Sequence, residues 1–520
     1  MTVKLSIGSF AIPVIAVSLF FSACSKNDGV PVKLNNLVSE KSSAFGKAAP
    51  KGTEFYALTS TNMLVKYSSG NPLSELGDVA ITGLQSMERV LAIDFRPATG
   101  QLYGLCNSSR LYVINQETGA AIALGTTSFT PAISGNIVGF DFNPTVDRIR
   151  MVTANGQNLR LNPETGTVAA TDLPLNPGSP MIAAAAYSNN VAGAATTTLY
   201  DIDLGSNKLF KQDPPNNGTL VEVGSLGIST GTSVDGGFDI SPDNAVALAC
   251  LQSGSGSMLY QINLSNGKAT GLGMLGATVI GLAIPTNAVA YTVDNSNNLQ
   301  IFNLNNPGTP VAKAITGLQS GENILGIDIR PATGQLMALG NSSRLYAINM
   351  SSGVATAIST TSFSTPLSGT SFGFDFNPTV DRIRVVSNTG QNLRLNPITG
   401  DIAAVDLALN PGVPTISAAA YTNNFAGSTT TGLYDIDAAT DKLFIQTPPN
   451  NGTLMEIGNL GVDVSATNGF DIGGLTNKAY AIFSVGSGNF IYSINLTSGV
   501  ATQMSSFPNP VNGFAVGLGF

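Results

Sequence analysis

The stretch GFDFNPTVDRIR, residues 139–150, recurs letter for letter at residues 373–384, so that Gly139 and Gly373 stand 234 residues apart. Working outward, GQNLRLNP at 156–163 returns at 390–397, and GLQSMERVLAIDFRPATGQL from Gly83 returns as GLQSGENILGIDIRPATGQL from Gly317. The tract from Tyr187 through PPNNGTL matches the tract from Tyr421, and by Phe238 and Phe470 the displacement has shortened to 232. Beyond its first fifty residues the chain reads as two copies of one unit, residues 51–285 and 286–520.

A shorter period runs inside each copy. VLAIDFRPATGQLYGL, IVGFDFNPTVDRIRMV, GGFDISPDNAVALAC and VIGLAIPTNAVAYTV share an apolar run, a turn built on Pro with Asn, Thr or Gly, and a second apolar run. A degenerate fifth version begins at Tyr187 with Ser188-Asn189-Asn190. A third strand such as RLYVIN and a fourth such as AAIALG follow each turn. Five units per copy give about 47 residues each, the size of a four-stranded propeller blade. Helical periodicity is nowhere sustained. The expected fold is all-β: a β-propeller of about ten four-stranded blades, preferred as two five-bladed rings, with one ten-bladed ring as the alternative. The first strands lack alternation, as strands buried on both faces do. The terminal NGFAVGLGF, residues 512–520, has no hairpin partner after it and is expected to complete a sheet begun near FYAL, residues 55–58.

The blocks GLQ, IDFRPATGQLY, FDFNPTVDRIR, GQNLRLNP, TTLYDID and PPNNGTL together resemble the signature blocks of the family catalogued as domain of unknown function 4394, present twice and covering nearly everything from Lys51 onward. The resemblance implies a β-propeller-like domain of exported bacterial proteins. It implies no activity.

The amino terminus supports export independently. Lys4 is followed by an uncharged apolar run from Ile7 to Phe21 and then Ser22-Ala23-Cys24, the layout of a secretory signal that is too short to span a bilayer comfortably. Cleavage before Cys24 resembles lipobox processing, with Phe21 where Leu is usual. Residues 1–23 are thus expected to be a lipoprotein signal peptide, with Cys24 the lipidated residue and 24–50 a flexible polar linker. The expected location is the outer membrane, facing the cell surface, with a periplasm-facing orientation as the alternative.

Composition removes several functions. A net charge of −8 with only 11% charged residues leaves no basic face for nucleic acid. The chain has no His and no Trp, which excludes Ser-His-Asp and Cys-His catalysis and His-ligated metals. No nucleotide-binding glycine motif is present. What remains for catalysis is carboxylate chemistry of the kind that cleaves polysaccharides. The only cysteines besides Cys24 are Cys106 and Cys250, whose counterparts in the second copy are Gly340 and Ile482.

Three acids per copy fall in register on first strands: Asp94, Asp141 and Asp239, then Asp328, Asp375 and Asp471. Alanine holds the place in the other two units, at Ala186 and Ala283 in the first copy. If first strands border an axis, each triad meets there and is a candidate metal site for a hard cation such as Ca²⁺. The competing reading makes them acceptors for turn amides. A second repeated set is Asp147, Arg148, Arg150 and Arg160, with Asp381, Arg382, Arg384 and Arg394, read mainly as ion pairs. No catalytic residue and no organic cofactor are assigned. The function expected is a non-catalytic binding or scaffold module of the cell envelope, tethered to the membrane by lipid, whose partner is a glycan or an envelope protein. A carboxylate-based polysaccharide hydrolase or lyase is the alternative.

Overall fold

The computed structural model describes residue 1 and residues 52–230, 236–253, 256–465 and 468–520. Cys24, the signal peptide and the linker lie outside the described residues. From Glu54 onward the chain forms ten antiparallel sheets of four strands each. Helix among the described residues is limited to two short 3-10 turns, Pro215–Asn217 and Pro449–Asn451. Each ends on the Asn of an Asn-Gly-Thr triplet, residues 217–219 and 451–453.

The repeated turn shows why the hairpins form. In FNPTVDR the Asn143 Oδ1 accepts the Thr145 N–H at 3.0 Å, and Asp147 closes the turn in the left-handed region at φ 51°, a conformation that Asp tolerates better than most residues. Strands Val138–Asn143 and Arg148–Thr153 then pair with Asp141 opposite Arg150.

Burial falls across each sheet. First strands such as Val90–Phe95 and Ile182–Tyr187 are buried at every position, whereas fourth strands such as Thr167–Thr171 alternate between exposed and half-buried. The first strands touch in a cycle: Val90–Phe95 lies against Val138–Asn143, that against Ile182–Tyr187, then Gly236–Ile240, then Val279–Ala283, which returns to Val90–Phe95. The second copy repeats the cycle through Ile324–Arg330, Phe372–Asn377, Ile416–Tyr421, Asn468–Ile472 and Asn512–Val516. So close an approach leaves no room for side chains at some positions: a Cβ on Gly139 would stand 2.7 Å from that of Ala185. Between neighbouring sheets lie apolar clusters such as Leu105, Leu111, Phe142, Ile149 and Leu159, each side chain contributing roughly 1.5–3 kcal/mol on burial.

The closing strands differ from the expectation. Val279–Ala283 pairs with Glu54–Thr59, and Asn512–Val516 pairs with Val289–Val293. The terminal strand therefore completes a sheet of its own copy and not the one at residues 55–58. VIGLAIPTNAVAYTV is not a hairpin, because its two strands belong to different sheets.

The copies also pack on each other. Arg96 Nη1 donates to the Gly334 carbonyl at 2.9 Å, the Tyr291 hydroxyl donates to the Ala98 carbonyl at 2.8 Å, and the Gly519 N–H donates to Thr99 at 2.9 Å. Cys106 and Cys250 are buried free thiols, each pushed up to about 12, principally by burial.

Candidate functional site

The fold brings each acid triad together. One carboxylate oxygen from each of Asp94, Asp141 and Asp239 lies within 4.8 Å of the other two, and Asp328, Asp375 and Asp471 meet in the same way. All six side chains are at most 1% exposed.

Five backbone N–H groups point at each triad, one from each first strand or its end. In the first copy Asp94 takes those of Phe95 (2.7 Å) and Phe142 (2.8 Å), Asp141 takes that of Tyr187 (3.0 Å), and Asp239 takes those of Ile240 and Ile284 (both 2.6 Å). Each acid thus reaches the next sheet. Where the preceding sheet carries Ala in place of Asp, as Ala283 before Asp94 and Ala186 before Asp239, the acid also binds the N–H of its own successor. Three carboxylates offer six oxygens to five donors, and the one left over is Asp141 Oδ2, buried without a partner. The second copy repeats the pattern through Ile329, Phe376, Tyr421, Ile472 and Val516, at 2.5 to 2.9 Å.

Burial dominates the electrostatics. It drives Asp94 and Asp141 well above the ordinary carboxylate range, with the neighbouring acids adding to it and the backbone N–H groups opposing it. Asp239 is pushed up to about 7 by burial. Asp328 and Asp375 rise as their counterparts do, and Asp471 stands at about 7.

The second repeated set does not assemble as one group. Asp147 pairs with Arg96, a residue outside the set, through Nε at 2.9 Å, and Asp381 pairs with Arg330 at 2.8 Å. Arg150 instead anchors a buried cluster: Nε donates to the Tyr187 hydroxyl (3.3 Å), Nη1 to Asn158 (2.7 Å) and Asp172 (2.6 Å), and Nη2 to Asn216 (2.7 Å). Arg160 holds Asp172 by a second, bidentate contact at 2.9 Å. Burial works against the charge on Asp172, but the two arginines keep it below the usual range. Arg384 repeats the cluster with Tyr421, Asn392, Asp406 and Asn450. Close to it are Asp201 and Asp435, fully buried with both carboxylate oxygens unpartnered and pushed up to about 8 by burial against the pull of Arg150 and Arg384. Sequence reasoning passed over Asn158, Asp172, Tyr187, Asp201 and Asn216. Asn158, Tyr187, Asp201 and Asn216 sit in blocks shared by both copies, which marks them as repeated but does not show that they meet.

Two cavities open where the copies meet. One, of about 210 Å³, lies beside Thr286 and Phe302. The other, of about 160 Å³, lies beside Ile122 and Phe425. Neither is lined by a charged side chain.

These features define a class: an all-β protein of tandem copies, each gathering three acids into a backbone N–H cage. The chain belongs to the family described as Domain of unknown function (DUF4394), whose profile matches residues 63–283 and 298–515. No curated protein matches it. Among solved structures it is similar to the extracellular domain of a one-component system of B. thetaiotaomicron, at 14% identity and a TM-score of 0.24, over 87% of this chain and 59% of that one. It is also similar to PorZ, a surface component of the type-IX secretion system of Porphyromonas gingivalis, at 12% identity and a TM-score of 0.25, over 89% of this chain and 60% of that one. The chain spans about three fifths of the length of these structures.

Proposed function

We propose that the chain is an exported, lipid-tethered module of the cell envelope that binds a partner without catalysing a reaction, built as two five-bladed β-propellers. The cyclic contact of first strands and the closure of each copy by its own last strand support the rings. The observation that carries the functional reading is the burial of the six acids: at 1% exposure or less, with five of six oxygens per triad engaged by backbone N–H groups in the first copy, they are out of reach of a polysaccharide. Rigid frames of this kind leave recognition to loops and seams.

Each triad is read as holding a shared carboxyl proton in place of a metal ion. A proton needs one free oxygen, which Asp141 Oδ2 supplies, whereas Ca²⁺ needs six to eight oxygen ligands and the three carboxylates already serve five donors. The tether is tested by Cys24→Ala, which is expected to release the protein from membranes or leave its precursor unprocessed. Incubation of the full chain with envelope polysaccharides is expected to yield complexes and no cleavage. New reducing ends or unsaturated products would replace this reading with that of a hydrolase or lyase.

A further inference from the structure

The cavity of about 210 Å³ lies where the chain passes from one copy to the other, with residues of both copies in its wall. Its floor is apolar, formed by Val289, Ile301 and Phe302, and Phe302 is backed by the rings of Phe507 and Phe514 at 4.9 and 6.3 Å. Its rim carries the exposed side chains of Asn287, Asn306 and Thr309. Thr286 also lines the space, with its hydroxyl oxygen itself buried.

The lining selects among ligands. Without a charged side chain in the wall, an ionic ligand would lose hydration and gain no counter-charge. An extended peptide adding to the sheet edge is disfavoured, because the bordering strand Asn306–Ala314 carries Pro307 and Pro310, which blunt strand pairing. Carboxamides and hydroxyls that both donate and accept suit sugar hydroxyls, and an apolar floor with an aromatic ring suits the C–H face of a pyranose. We propose that this seam cavity binds one neutral sugar residue of a glycan, which gives the binding-module reading a ligand class and rests on it.

The test uses the full-length protein in detergent, with glucose, galactose, mannose, N-acetylglucosamine and glucuronic acid as probes, followed by saturation-transfer NMR and calorimetry. At least one neutral sugar is expected to bind and glucuronic acid to fail. Asn306→Ala removes an exposed rim carboxamide, so it should leave the melting temperature unchanged while weakening binding about tenfold. Ala288→Leu, which fills the cavity, should abolish binding in a protein that still melts cooperatively. Sugar binding that survives both variants would overturn the seam site and leave the module reading standing. Absence of binding by every neutral sugar, or equal binding of glucuronic acid, would also overturn the site, and capture of an envelope protein in the same preparation would then separate that outcome from failure of the module reading.

Discussion

Asp94 and Asp141 occupy the same place on adjacent first strands, yet their amide variants should behave oppositely. Asp94 uses both oxygens to accept N–H groups, so in Asp94→Asn the new NH₂ must face a donor, at a cost of about 1–3 kcal/mol for the unsatisfied group. Asp141→Asn keeps its bond to Tyr187 and places a permanent donor where the carboxyl proton stands on the partnerless oxygen. It should be neutral or stabilising, and chemical denaturation of the two variants compares them directly. Equal losses would refute the five-donor count. Other buried acids set a pH dependence. Burial raises Asp239 and Asp471 to about 7 and Asp201 and Asp435 to about 8, against about 3.9 in an unfolded chain. The folded state then binds more protons, so this contribution is full below about pH 4 and is lost as pH rises through 7 to 8. Calorimetry at pH 5, 6.5 and 8 should show the melting temperature falling by several degrees, and millimolar Ca²⁺ at pH 6.5 should not move it. A rise with Ca²⁺ would return the triads to metal binding.

Within a pair of adjacent sheets, Arg150 does what no lysine can, because its planar fork meets Tyr187, Asn158, Asp172 and Asn216 at once. Arg150→Lys should cost about 1–3 kcal/mol by leaving the buried acceptors of Asn158, Asn216 and Tyr187 short of donors, and Arg384→Lys about the same, read from the denaturation midpoint. Arg160→Lys should cost far less, since Arg160 is one-third exposed and Asp172 keeps Arg150. The contrast between triad and cluster explains what the sequence made legible. The triads could be read because the acids hold the same register in strands of one design. The Arg150 cluster could not, because its partners lie 8, 22, 37 and 66 residues away on different strands and turns, and no periodicity links such separations. The sheets were legible for the same local reason: each hairpin carries its own turn chemistry, as Asn143 and Asp147 do. The closing strands were misread because strand pairing between distant segments is non-local, and Ala283-Ile284-Pro285-Thr286-Asn287 has the same turn residues as the true hairpins while joining two sheets.

For the whole molecule, the pairing of Val279–Ala283 with Glu54–Thr59 has a consequence that separates two rings from one. A fragment of residues 52–285 contains every strand of its five sheets, and its triad keeps all five N–H donors, including that of Ile284. It should be monomeric and unfold cooperatively. Its melting temperature should lie below that of the full chain, because separation exposes surfaces that Tyr291, Gly334 and Phe520 cover and leaves the buried Arg96 with Asp147 and without Gly334. A fragment ending at residue 277 loses the closing strand, opens an edge on Glu54–Thr59 and strips Asp239 of its bond to Ile284. With one buried carboxylate oxygen stripped of its donor and a first strand missing from the cycle, it should lose the cooperative transition altogether. Light scattering and circular dichroism melts of the two fragments decide the matter: a folded 52–285 beside an unfolded 52–277 fits closure within the copy, whereas an unfolded or obligately dimeric 52–285 would mean that each copy needs the other to close.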